Sequence, residues 1–212
     1  YKPMRRDCTL TMVTAAEKPG RQTYERSAIL LMMKAFYDTV GRENIENVRV
    51  EFSLSNALFC RAWGDFTLDS ALLERIEQRM RQLVDQALPI EKKSVDIEDA
   101  LPFLRANGME DKARVLSYRI TSRVNLYTLE DFTDYFYGYM VPHTGYLKWF
   151  SLEIFGDGFI LRLPALGDPE HVGPFEPSMK VFQAMHDAEE RSAAMYVSNV
   201  GEMDDIIANG NA

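Results

Sequence analysis

From Ala28 to Tyr37 the chain leaves almost no room for a polar face: Ala28, Ile29, Leu30, Leu31, Met32, Met33, Ala35, Phe36 and Tyr37 follow nearly without interruption. A helix that is apolar on every side has to be enclosed by other elements. The segment Thr23 to Val40 is therefore expected to be a central helix, and the rest of the chain must supply surfaces on all sides of it. Alternating segments are the natural source. Val48 to Leu54 and Leu58 to Trp63 flank Ser55-Asn56-Ala57 as one hairpin, while Leu147 to Phe155 and Phe159 to Leu163 flank Gly156-Asp157-Gly158 as another. The fold class expected is α+β, an antiparallel sheet with hairpins packed around a central apolar helix, with a C-terminal helical extension.

Between these hairpins, Asp69 should cap a helix to about Leu88, with Leu72, Ile76, Met80, Leu83 and Val84 at three- and four-residue steps. Pro89 ends it, and Ile90 to Val95 reads as a strand. A kinked helix from Ile97 to Asn107 containing Pro102, a stop at Gly108, a short helix from Glu110 to Ser117 and a strand from Arg123 to Leu129 follow. The stretch after Asp131 is dense in aromatics (Phe132, Tyr135, Phe136, Tyr137, Tyr139) and reads as an aromatic-lined loop feeding the second hairpin. Cys8 to Val13 suggests a short strand ahead of a polar loop at Pro19-Gly20. After Pro164 a Pro- and Gly-containing connector leads to a helix from Met179 to about Met195 and a short one from Glu202 to Ala208.

A net charge of -8 argues against an extended phosphate-binding face, which needs clustered Lys and Arg, so a nucleic-acid partner is not expected. No apolar run approaches a membrane span, and Cys8 and Cys60 form neither a C-x-x-C pair nor a secretory framework, which favours the cytoplasm. The histidines His143, His171 and His186 lack metal-ligand spacing, and no phosphate-cradling loop or nucleophile elbow occurs. No cofactor, metal or catalytic residue is expected in this chain.

Asp134-Tyr135-Phe136-Tyr137-Gly138-Tyr139-Met140-Val141-Pro142, followed by Thr144-Gly145 and Lys148, resembles the D-L-C-R-G-P-H-V-P segment of the second additional domain shared by threonyl- and alanyl-tRNA synthetases. Arg26-Ser27-Ala28-Ile29-Leu30-Leu31 is similar to the H-S-x-x-H-L-L start of that domain. The run from Asp96 to Leu116, with Asn107-Gly108-Met109-Glu110-Asp111-Lys112, resembles its acidic helix and following turn. In that family two His, one Cys and one further His form a hydrolytic or metal site. By alignment those four positions are Arg26, Leu30, Phe136 and Met140 here, and such a set cannot hold zinc or move a proton.

The loop, together with Val197-Ser198-Asn199-Val200-Gly201-Glu202-Met203, looks like bacterial proteins of the uridine kinase family that carry a synthetase-like region ahead of a kinase domain. The resemblance runs from about Tyr24 to Ile207. It implies a connector over residues 1–21, an editing-like domain over 22–165, and a connector with helices over 166–212 leading to a kinase domain, where ATP and Mg would act. It also implies an accessory role, with the kinase domain of the same chain as one partner and a small molecule or nucleotide as another. The candidate pocket comprises Arg26, Leu30, Asp134, Phe136, Tyr137, Met140 and His143. Two alternatives stand beside it: a trans-editing aminoacyl-tRNA hydrolase, with His143 near the former ligand position, and a dimerisation module.

Overall fold

Pro19 falls in the first turn of the central helix, where a missing N–H breaks no intrahelical bond. The helix accordingly starts at Lys18, ahead of the expected Thr23, and α1 spans Lys18–Val40. In this computed structural model, which describes residues 6, 7, 9, 11–119 and 122–194, the elements that follow α1 are β1 (Ile45–Leu54), β2 (Ala57–Gly64), α2 (Ser70–Asp85), β3 (Glu91–Asp96), α3 (Ile97–Ala106), α4 (Glu110–Ser117), β4 (Arg123–Leu129), β5 (Phe132–Tyr135), β6 (Ser151–Phe155), β7 (Gly158–Arg162) and α5 (Met179–Ala194). The class is α+β, as the sequence indicated. The antiparallel strands divide into two sheets, ordered β1-β2-β7-β6 and β3-β4-β5.

Enclosure of α1 follows from its composition. Tyr24, Ser27, Ala28 and every residue from Leu30 to Phe36 are buried. Its neighbours are α2, β1 and β4, and Phe36 stacks on Phe159 of the four-stranded sheet with ring centroids 6.0 Å apart. On β2, Leu58 and Cys60 join the core around α1, whereas Ala57 and Phe59 face a second cluster with Phe52, Ile160 and Phe182. Both faces of this sheet are thus covered, the outer one by α5. Phe182 of α5 fits there because Gly156, at φ +58°, has no side chain; a Cβ would stand 2.9 Å from the Phe182 ring.

Four expectations are corrected. Of the strand expected from Cys8 to Val13, Cys8 and Leu10 lie outside the described residues; the described ones form no strand, and Met12 and Val13 are exposed. The aromatic stretch is not all loop: Phe132–Tyr135 is β5, paired antiparallel with β4. The first strand of the last hairpin begins at Ser151, not Leu147, because Leu147 and Phe150 plug the core from an irregular segment. The strand at the end of α2 starts at Glu91, since Ile90 donates its N–H to Pro142. The helix expected from Glu202 to Ala208 lies outside the described residues.

Asp69 caps α2 through a 2.8 Å bond from the Leu72 N–H, as its position predicts. Pro102 sits within α3, and Gly108 takes φ +73° at the turn into α4. The β4–β5 turn is closed differently. Glu130 occupies the left-handed region at φ +53° without being Gly or Asn, and the turn is tied to α1 by Lys34. That buried ammonium bonds Asp131, Asp38 at 2.7 Å and Glu130 at 3.4 Å.

Candidate functional site

The segment from Phe136 to Phe150, between β5 and β6, is fastened to the helices by three hydroxyls. On α1, Ser27 Oγ donates to its own helix at Thr23 (2.7 Å) and accepts the Val141 N–H (3.0 Å). One turn away, the Tyr24 hydroxyl donates to the Trp149 carbonyl at 2.8 Å and accepts the Trp149 N–H at 2.9 Å. Burial pushes the Tyr24 phenol pKa up to about 12, against the pull of the Trp149 backbone and Arg21, so it remains a donor. The third is Thr144, fully buried, whose hydroxyl donates to the Leu83 carbonyl at 2.5 Å and accepts the Leu88 N–H at 2.9 Å. These side chains are the polar exceptions on apolar surfaces, as expected where buried backbone groups need partners.

The fastened segment places the aligned positions beside α1. Arg26 lays its guanidinium over Gly138, where a Cβ would stand 2.7 Å from Cζ, and Nη1 lies 3.5 Å from the Tyr139 carbonyl. Gly138 is at φ +105°, so both the backbone and the close approach favour glycine. Leu30 is fully buried in the core, and Phe136 and Met140 pack against that same core. A guanidinium, two hydrocarbons and a thioether offer no set of donors for zinc and no base for water. Among the described residues no group of three His, Cys, Asp or Glu could hold a metal ion.

Next to these positions opens a cleft of about 510 Å³ between α1, β1, α4 and β5. Ile29, Met33 and Tyr37, spaced four apart on α1, form its apolar floor. Asp134 and Phe136 of the sequence candidates line it; Arg26, Leu30, Tyr137, Met140 and His143 do not. Tyr137 is exposed. His143 bridges Pro89 beyond α2, its ring 4.5 Å from that of Tyr146, and its buried Nδ1 has no hydrogen bond. Nearness in sequence to Met140 thus does not carry His143 into the cleft.

Charged residues that sequence reasoning missed complete the site. Lys112 Nζ reaches both oxygens of the buried Asp134, at 2.7 and 2.5 Å, and lies 5.8 Å from the centre of the Phe136 ring. Asp134 also accepts the Tyr135 N–H at 2.6 Å. Across the cleft, Arg49 Nε faces Asp111 at 3.4 Å while its guanidinium lies over Trp63. Glu51, at the irregularity of β1 between Val50 and Phe52, also lines the cleft, and its carboxyl pKa is pushed up by burial, with Arg49 and Arg61 opposing the rise. Burial likewise raises the Tyr37 phenol, opposed by Arg42 and reinforced by Asp134 and Asp111. Lys112 falls in the third matched motif, which was the one available signal; the approach of Arg49 and Glu51 depends on the sheet. The arrangement can hold and orient a small molecule.

Known proteins agree with the synthetase part of the resemblance. No family model matches the chain. Threonine–tRNA ligases do: that of Thermotoga petrophila is 26% identical over 156 residues, covering 71% of this chain and 23% of the relative. Those of Syntrophotalea carbinolica and Methylococcus capsulatus are 29% and 31% identical over 155 and 154 residues, covering 71% and 69% of this chain and 23% of each relative. The chain spans less than a quarter of the length of these curated relatives. Over about 70% of its own length, this protein is similar to one segment of threonine–tRNA ligases.

Proposed function

We propose that this is a non-catalytic accessory domain, derived from a synthetase editing-type domain and working beside a nucleoside kinase domain of the same longer protein. The observation that carries the loss of catalysis is the seat of Arg26: its guanidinium occupies the ground over Gly138 and Tyr139 where the aligned family motif has a histidine. Arginine stays protonated at any working pH and cannot act as a base. Leu30, Phe136 and Met140 add only apolar surface there. The kinase association is supported by the loop motif and by Val197 to Met203, and it implies ATP and Mg in the kinase domain alone. A cytoplasmic site of action accords with it; among the described residues no helix is long and apolar enough to cross a membrane. On this reading the remaining cleft binds a ligand, and the domain transmits occupancy to its neighbour.

The hydrolase alternative relies on His143, which is held against Pro89 and does not line the cleft. The test is incubation of the protein with mischarged aminoacyl-tRNA in the presence of zinc. The expected result is release of amino acid at the uncatalysed rate. Faster release that His143→Ala abolishes would overturn the proposal.

A further inference from the structure

Four carboxylates, those of Glu46, Glu51, Asp111 and Asp134, and two cations, Arg49 and Lys112, line the cleft. The cations are already engaged. Lys112 is clamped by both oxygens of Asp134, and Arg49 lies between Asp111 and the Trp63 ring. Among the described residues Glu46 and Glu51 have neither hydrogen bond nor ion pair. Arg49 and Arg61 lie near enough to Glu51 to oppose its burial, but Arg61 is itself bonded to Asp157 at 2.5 Å. The lining therefore carries two acids more than it carries bases, and those two are the unpaired ones.

The remaining surface is apolar and aromatic. Met33 and Tyr37 form the floor, and Tyr135 and Phe136 stand at the side. The ring face of Phe136 already accepts one cation, the Lys112 ammonium 5.8 Å from its centre. Ring faces attract cations through their quadrupole, and more strongly when water is excluded. A volume of about 510 Å³ lies within the range of small-molecule sites. From this combination we infer that the cleft takes a small organic cation, a protonated amine on an aromatic or apolar body, with the amine directed to Glu51. The inference rests on the accessory, ligand-holding reading above and narrows it. A nucleotide, whose phosphates would meet the surplus of carboxylates, is disfavoured.

Isothermal titration of the 212-residue chain with phenethylamine, its anionic counterpart phenylacetate, and uridine monophosphate tests the assignment. The amine should bind and the two anions should not. Glu51→Gln should weaken the amine by about tenfold, the loss of one charged contact, while the variant's circular dichroism and unliganded melting remain those of a folded protein. Glu46→Gln, at the more exposed rim, should weaken it less. Binding of phenylacetate or uridine monophosphate in place of the amine would overturn the cation assignment and leave a ligand-holding domain. Amine binding indifferent to Glu51→Gln, or no binding by any of the three, would also overturn it. The loss of catalysis is judged separately, by the aminoacyl-tRNA assay.

Discussion

Replacing Thr144 by valine keeps the shape of the side chain and removes one hydroxyl, and the structure fixes what that removal leaves behind. The α2 helix ends at Asp85, so its last carbonyls have no helical partner. The Ala87 N–H bonds Val84 and not Leu83, which leaves the Leu83 carbonyl to the Thr144 hydroxyl. That hydroxyl is also the partner of the Leu88 N–H, and Thr144 has no solvent exposure. Valine therefore strands one donor and one acceptor away from water. At about 1–3 kcal/mol for each buried group left unsatisfied, with some relaxation, Thr144→Val should cost roughly 2–4 kcal/mol. For a chain of this size that is a fall of roughly 5–15 °C in melting temperature. Thr144→Ser keeps both hydrogen bonds and loses only a methyl group, at about 1 kcal/mol. Urea denaturation followed by circular dichroism should rank the proteins wild type, Ser, Val in falling stability. A valine variant as stable as the serine variant would refute the reasoning, because it would mean that the hydroxyl carries no bond the fold depends on.

Two further outcomes follow from the same fastening. The Tyr24 phenol has a folded pKa of about 12 against an unfolded value of 10.0, so folding favours its neutral form. The associated stability, roughly 3 kcal/mol, is complete below pH 10 and lost as pH rises toward 12; Tyr24→Phe should remove this part of the alkaline slope in urea titrations at stepped pH. Gly138→Ala should destabilise by about 1–3 kcal/mol through its φ of +105° and its approach to Arg26. In a double-mutant cycle Arg26→Ala should recover the part due to the clash and leave the part due to the backbone.

How much of this was legible in the sequence depends on where each constraint originates. The central helix was readable because its apolar residues run all round the axis, and Asp69 because its cap bond is local. The β4–β5 hairpin was not. Its turn, Glu130-Asp131, lacks the Asn or Gly that announces such a turn, and it is stabilised by Lys34, 97 residues from Asp131. Leu147 and Phe150 looked like strand residues because core plugs and strand residues are equally apolar. In the site, Asp134 and Phe136 were reachable from the motif, whereas Arg49 and Glu51 enter the cleft only through the pairing of β1 and the packing of α4. His143 was misplaced for a related reason: Thr144 anchors to the end of α2 and carries its neighbour away from α1.

On the proposed reading, Arg26, Leu30, Phe136 and Met140 give the surroundings of α1 no donor set for a metal. Zinc content after equilibrium dialysis, measured by elemental mass spectrometry, should be far below one zinc per chain and unchanged by Arg26→Ala or Met140→Ala. One zinc per chain, released by Met140→Ala, would overturn that reading.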